Sequence, residues 1–212
     1  MKGCNLVVIT EGGVDFGFGH VTRCLAIASE FESLGFNIGF IVNGDRSIDA
    51  ILAGKSFTIF NWNHEQRKLI SHFIDGSIVL IDSISISDSL ILKLEKLNII
   101  IVFIDDERRR NILNRGFVLD WTVLSDEQDH FIHKKKNVTY LLGSSYTPLR
   151  KEFYLAKKNN IKQNLETILI TFGGSDSMSL TQEVLKTLVD NFPEINKHVV
   201  IGPGFKNIEN IK

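Results

Sequence analysis

Apolar runs without polar alternation constrain this chain more than any other feature of it. Asn5–Thr10, Asn37–Val42, Phe57–Phe60, Ile78–Asp82 and Ile99–Ile104 are rich in Val, Ile and Phe. A strand wetted on one face alternates polar and apolar residues, whereas a strand covered on both faces does not, and that second pattern belongs to parallel sheets. Between the runs, His20–Leu34, Ser47–Gly54, Glu65–Ile74 and Ser87–Leu97 carry helical patterns. The first is the clearest: Val21, Cys24, Leu25, Ala28 and Phe31 form one apolar stripe, and Gly35 supplies the stop. Strand and helix in regular succession predict an α/β, doubly wound domain, with a parallel sheet and helices on both faces. Further strands are expected at Asp120–Leu124 and Val138–Leu142.

The pattern breaks near Gly143. The polar segment Ser144–Leu165, which contains Pro148, reads as a connection with a helix around Leu149–Lys158. A new strand at Thr167–Phe172 runs into Gly173-Gly174-Ser175-Asp176, followed by a helix at Leu180–Asn191 and a strand at Lys197–Ile201. The expected organisation is an N-terminal Rossmann-like domain over 1–143, a connection over 144–165, and a partial C-terminal nucleotide-binding domain over 166–212. One βαβ repeat is fewer strands than such a domain usually needs, so the chain is expected to be C-terminally incomplete.

Composition excludes several classes of function. A net charge of -1 gives no global field toward nucleic acid or an anionic membrane. No apolar run approaches the roughly 20 residues needed to span a bilayer. Cys4 and Cys24 make no disulfide framework, and no four-ligand zinc spacing exists, so a metal-free, cytoplasmic protein is expected. The basic clusters Arg108-Arg109-Arg110 and Lys134-Lys135-Lys136 read as solvated surface. So do the contexts of His64, His72, His130, His133 and His198.

The chemistry is expected on the loop after the first strand, Glu11-Gly12-Gly13-Val14-Asp15-Phe16-Gly17-Phe18-Gly19-His20. In open α/β sheets ligands bind beyond the carboxyl ends of the strands. Glycines there let the backbone approach a ligand and aim amides at an anion. Gly17-x-Gly19 lacks the third glycine of the dinucleotide fingerprint and the Gly-Lys-Ser/Thr of a P-loop, so the glycines alone also suit a plain tight turn. His20 adds a group able to take or give a proton near neutral pH, although a histidine that only caps the helix is the alternative.

Gly17-Phe18-Gly19-His20-Val21-Thr22-Arg23-Cys24-Leu25-Ala26-Ile27-Ala28 resembles the G-x-G-H-x-x-R-C-L-x-L-A signature of the UDP-sugar hydrolases of pseudaminic acid biosynthesis. The SpsG-like proteins of spore-coat polysaccharide biosynthesis share it. Ile104-Asp105-Asp106, Gly143-x-x-Tyr146 with Leu149-Arg150-Lys151-Glu152-Phe153, and Phe172-Gly173-Gly174-Ser175-Asp176 continue the match in order. The resemblance implies a GT-B architecture of two Rossmann-like domains. It also implies hydrolysis of a UDP-linked 2,4-diacetamido-2,4,6-trideoxy sugar to free sugar and UDP, with no metal or cofactor. It assigns the catalytic base to His20. Substrate contacts are expected from Gly17, Phe18, Gly19, Arg23, Asp82, Asp105, Asp106, Tyr146, Arg150, Gly173, Gly174, Ser175 and Asp176.

Each of these positions also has a structural reading. Asp82 or the Asp105-Asp106 pair can cap a helix or turn, Arg150 can pair with a neighbouring glutamate, and Gly173-Gly174-Ser175 can be a turn rather than a phosphate cradle. Thr10-Glu11-Gly12 stands where many pseudaminic-pathway hydrolases carry Arg-x-Asp, and is nearer the SpsG-like branch. The alternatives are a GT-B glycosyltransferase with a UDP-sugar donor, and a non-catalytic nucleotide-sugar-binding fragment. Both glycine-rich loops are expected to line one cleft.

Overall fold

The apolar runs become strands whose alternate side chains enter two separate cores. The structure, a computed structural model, describes residues 4–106, 110–123, 137–155, 163–205 and 208–211. β1 (Leu6–Gly12) is followed by α1 (Gly19–Ser33), β2 (Ile38–Gly44), β3 (Ser56–Ile59), α2 (Gln66–Ile70), β4 (Ile78–Asp82), α3 (Asp88–Leu94) and β5 (Ile100–Ile104). β6 (Gly116–Asp120) and β7 (Val138–Leu142) complete the seven strands assigned to this sheet among the described residues, in the order β3-β2-β1-β4-β5-β6-β7. Every neighbouring pair is parallel. This is a Rossmann-like α/β fold, and the direction of winding reverses between β1 and β4.

Period-two alternation assigns the faces. Leu6 and Val8 of β1, Phe40 and Val42 of β2, Leu80 of β4 and Ile104 of β5 pack with Val21, Cys24 and Ala28 of α1. Val7, Ile9, Ile41, Val79, Ile81, Ile101 and Phe103 pack on the opposite side with Leu69 of α2 and Leu90, Ile91 and Leu94 of α3. Full burial of each such side chain contributes about 1.5–3 kcal/mol, so both faces of the sheet are held by apolar contact. Cys4 and Cys24 are buried free thiols inside these cores.

Three expectations shift. The helix expected over Ser47–Gly54 is a single 3-10 turn, Arg46–Ile48, continued by turns. Its apolar pair, Ile48 and Leu52, is fully buried. Successive turns closed by Leu52 N–H to Ile48 O at 3.0 Å and Lys55 N–H to Leu52 O at 2.9 Å satisfy that spacing without a full helix. The strand expected at Asp120–Leu124 lies four residues earlier, over Gly116–Asp120. Gly116 has φ 114, and a Cβ there would stand 2.5 Å from the Ile101 carbonyl oxygen, so this glycine admits the close approach of β6 to β5. The helix expected over Leu149–Lys158 is described as α4 (Lys151–Tyr154), and its later part lies outside the described residues.

Beyond the connection, β8 (Thr167–Ile170) and β9 (Asn196–Val199) pair in parallel around α5 (Leu180–Asn191), which gives a second small βαβ sheet. It meets the first loop through Phe18. That ring is 6% exposed, and an ideal Cβ on Gly174 would stand 2.5 Å from its Cδ2.

Candidate functional site

The reversal of winding leaves a crevice at the carboxyl ends of β1 and β4, and polar side chains gather there. Leu80 of β4 faces α1, so Asp82, two residues on, faces it too. Gly19 starts α1, which places His20, Arg23 and Cys24 on its first turns. The Asp82 carboxylate, 1% exposed, accepts Arg23 through Nε–H to Oδ2 and Nη2–H to Oδ1, both at 2.5 Å. His20 Nδ1 lies 2.9 Å from the same Oδ1, and the Cys24 thiol donates to Oδ2 at 3.5 Å. Arg23 Nη1–H donates to Asp106 at 2.7 Å, and its guanidinium lies 5.1 Å from the centre of the Trp121 ring.

The charges of this cluster reinforce one another. Burial would push the Asp82 carboxyl up, but hydrogen bonds from Arg23 and then His20 outweigh it and hold the group below the usual carboxylate range. Burial would loosen the Arg23 proton, yet the hydrogen bonds and charges of Asp82 and Asp106 carry its pKa above the ordinary value. Burial, followed by the charge of Asp82, pushes the Cys24 thiol well up, so it is a packing residue with its proton in place.

Two groups meet His20 Nδ1: the Asp82 carboxylate, which when ionised only accepts, at 2.9 Å, and Arg23 Nη2, which only donates, at 3.1 Å. In the tautomer that donates Nδ1–H to Asp82 the lone pair lies on Nε2, for which the described residues provide no hydrogen-bond partner. This is the orientation by which a carboxylate fixes a catalytic histidine in triad enzymes. The helix-capping alternative for His20 does not hold: the cap position is Phe18, and the imidazole is turned to β4. His20, Arg23, Asp82, Asp105, Asp106 and Arg110 border a cavity of about 240 Å³.

The other expected positions separate into distinct roles. Asp105 accepts from the backbone amides of Arg110, at 3.2 Å, and Asn111, at 2.9 Å, so it shapes the turn after β5. Asp176 accepts from Leu180 N–H and Thr181 N–H, both at 2.9 Å, and so caps α5. Burial would raise its carboxyl, but the Thr181 side chain first, and then the backbone amides of Thr181 and Leu180, hold it low. Ser175 and Asp176 border a different cavity of about 200 Å³, with Val14, Gln182, Gly204 and Ile211. The two glycine-rich loops therefore touch, through Val14 and Phe18, but His20 opens on another cavity than Ser175 and Asp176. Gly17 has φ 73 and bonds back to Gly13 N–H at 3.0 Å, and Gly173 also has φ 73. Tyr146 is 45% exposed on a 3-10 turn. Arg150 lies over the Phe153 ring and borders, with Thr22 and Arg23, a shallow space beside α1.

Two residues that sequence reasoning passed over belong to this site. Glu11, 1% exposed, accepts from Ser83 Oγ at 3.0 Å, Ile84 N–H at 2.5 Å and Ser85 Oγ at 2.5 Å, which pins the loop that follows Asp82. Its position directly after an unbroken apolar run was the available signal. Arg110, expected on solvated surface with its neighbours, is largely buried instead and borders the cavity. Arg108, Arg109 and Lys134 to Lys136 lie outside the described residues, as do His130 and His133. His64 and His198 are exposed as expected, whereas the His72 ring packs against Phe60 and its Nε2 is buried. Among the described residues no group of three or more His, Cys, Asp or Glu is arranged to hold a metal ion, and no helix is long and apolar enough to cross a membrane.

The fold and the cluster define a Rossmann-like protein with an oriented histidine at its topological switch point. No protein-family profile matches the chain. It is 31% identical over 209 residues to an uncharacterised protein of Methanocaldococcus jannaschii, covering 95% of this chain and 43% of that protein. It is also 27% identical over 188 residues to a Helicobacter pylori protein named as pseudaminic acid cytidylyltransferase and UDP-2,4-diacetamido-2,4,6-trideoxy-beta-L-altropyranose hydrolase. That match covers 87% of this chain and 31% of the Helicobacter protein. The chain thus spans less than half the length of either relative.

Proposed function

We propose that this chain belongs to a GT-B enzyme that hydrolyses a UDP-linked 2,4-diacetamido-2,4,6-trideoxy sugar, in nonulosonic acid or surface polysaccharide biosynthesis. In this reading 1–143 is the N-terminal domain, 144–165 the connection, and 166–212 the start of the nucleotide-binding domain. The observation that carries it is the His20–Asp82 pair beside the cavity at the switch point, with no described residue bonded to His20 Nε2. The named activity of the Helicobacter relative adds the substrate class.

His20 Nε2 takes a proton from water, and the resulting hydroxide attacks the anomeric carbon. The bond from that carbon to the diphosphate oxygen breaks, and its electron pair leaves with UDP. The diphosphate is already a good leaving group, so the enzyme's contribution is an oriented water and stabilised charge. Asp82 holds the imidazole tautomer and stabilises the imidazolium that forms, and Arg23 keeps Asp82 ionised. Both are positioning residues. Gly17, Gly19, Gly173, Gly174 and Ser175 offer backbone amides to the diphosphate. Asp106, which borders the cavity, is assigned to the sugar, and Tyr146 and Arg150 are assigned to sugar or nucleotide contacts.

UDP release from UDP-2,4-diacetamido-2,4,6-trideoxy-β-L-altropyranose, measured with and without a saccharide acceptor, tests the proposal. Release without acceptor is expected, and His20→Asn lowers it by about 10²–10⁴-fold, the range of a general base, with the thermal midpoint nearly unchanged. Release only with acceptor makes the protein a transferase. Binding without release, or full turnover in His20→Asn, removes the hydrolytic mechanism.

A further inference from the structure

The loop that leaves β4 is tied from three neighbouring segments. From β1, the Glu11 carboxylate accepts Ser83 Oγ–H at 3.0 Å, Ile84 N–H at 2.5 Å and Ser85 Oγ–H at 2.5 Å. From β2, Asn43 Nδ2–H donates to Ser85 Oγ at 3.2 Å. From the turn before α2, Asn63 donates to the Ser85 carbonyl at 2.8 Å and accepts Ser87 N–H at 3.0 Å. Ile86 N–H donates back to Ser83 Oγ at 2.9 Å, and the Ile86 side chain is buried in the core.

Ile84 lies in the middle of this fixed loop, yet it is 66% exposed and borders the His20 cavity. Ser83 turns its hydroxyl to Glu11, on the sheet face away from α1, and Ile84 follows on the side of Asp82. Phe103 and Ile104 also border the cavity, but they are 0% and 4% exposed. Of the described apolar residues there, Ile84 is therefore the one with surface left for a ligand to cover. A sugar hydroxyl laid against it would give up water for a surface that cannot hydrogen-bond, whereas a methyl group gains by leaving water. Single exposed apolar side chains are ordinary on protein surfaces. One whose backbone is already fixed beside His20 offers an apolar contact at little ordering cost.

We propose that Ile84 is a specificity residue that receives a methyl group of the sugar, and that Glu11 is the positioning residue that holds it there. This rests on the reading of the site as a UDP-sugar hydrolase and adds which part of the sugar the site selects. The proposed sugar carries methyl groups at C6, where a hydroxyl is missing, and on its two acetamido groups. Either source makes the same contact.

The test uses the full chain and three UDP-sugars: the diacetamido trideoxy donor, its 6-hydroxy counterpart, and its counterpart with formamido in place of acetamido groups. One methyl in an apolar site is worth about 10–200-fold in kcat/KM. A one-sided contact takes the low end, so the parent should prefer the first donor over one of the other two by about 10-fold. In Ile84→Ala that preference should fall to about 2-fold, and Ile84→Val should keep most of it. The comparison in which it falls identifies the methyl. Glu11→Gln leaves Ile84 in place but weakens its hold, and should lower the same preference. A parent without the preference, or an Ile84→Ala that keeps it, overturns the proposal. A Glu11→Gln that loses thermal stability with selectivity intact makes Glu11 merely structural and overturns its part. Titration calorimetry with the three free sugars separates this proposal from the hydrolase reading. If no donor is hydrolysed, the hydrolase reading fails, and tighter binding of the methyl-bearing sugar by the parent but not by Ile84→Ala still supports the contact. Equal binding by parent and variant, or no binding, refutes it.

Discussion

Removing the Asp82 carboxylate tests the centre of the site, because three side chains depend on it. In Asp82→Ala, Arg23 loses both of its 2.5 Å bonds to that carboxylate, and His20 loses the acceptor that sets its ring. Deleting one partner of a buried pair typically costs about 3–5 kcal/mol, because the other charge is left uncompensated. Arg23 retains Asp106, and its side chain is 23% exposed, so the lower end, about 3 kcal/mol, applies. For a chain of this size that lowers the thermal midpoint by roughly 6–12 °C. Removing the stranded charge as well, in Asp82→Ala with Arg23→Met, should recover part of the loss, leaving a coupling of about 1–3 kcal/mol in the double-mutant cycle. The pH dependence has a definite sign. Asp82 is depressed in the folded state, so its contribution is full above the unfolded carboxyl value of about 3.9. That contribution is lost as pH falls from there through the lower folded value, and Asp82→Ala should lack this share of the acid limb. Urea and thermal unfolding followed by circular dichroism between pH 2.5 and 7 measure both. A midpoint within about 2 °C of the parent, or strictly additive single variants, would refute the view that Asp82 is the shared anchor.

The remaining predictions concern the scaffold around the site. Gly116→Ala places a Cβ against the Ile101 carbonyl at a backbone angle that side chains avoid, so a loss of about 1–3 kcal/mol is expected in urea unfolding. A variant as stable as the parent would mean that β6 shifts freely. Phe18→Ala empties a buried ring position between the first loop and Gly174 and should cost about 3–5 kcal/mol. Limited proteolysis should also cut the connection faster, and unchanged cleavage would show that the ring does not tie the second sheet to the first.

The fold was legible because burial on both faces writes itself locally: each unbroken Val/Ile run became a strand of the parallel sheet. β6 was misplaced because Trp121-Thr122-Val123-Leu124 has stronger strand propensity than Gly116–Asp120. Yet the preceding strands offered a better guide, an apolar run that ends in aspartate, as at Asp82 and Asp105. His20 and Asp82 were each legible as residues at the ligand edge. Their pairing was not, since it joins positions 62 apart through a crossover and a face assignment. Arg110 was hidden by composition. Within the basic run Arg108-Arg109-Arg110 nothing local in the sequence signals that Arg110 turns to Asp88, Ile86 and Phe103.

Asp82 and Asp176 show why similar loops carry different chemistry. Asp82 ends β4 and Asp176 lies in the loop after β8, and each carboxyl is held below the usual range. The partners differ in kind. Asp176 accepts from two backbone amides of α5, groups whose hydrogens are fixed and whose loss would uncap the helix. It is therefore committed to geometry. Asp82 accepts from an imidazole and a guanidinium, so a proton arriving at His20 Nε2 alters its interaction directly, and Arg23 keeps it ionised while that happens. Of the groups bonded to these two carboxylates, the His20 ring is the one whose charge can change near neutral pH. That difference is why the proposed proton chemistry is assigned to the crevice between β1 and β4 and not to the glycine-rich loop after β8.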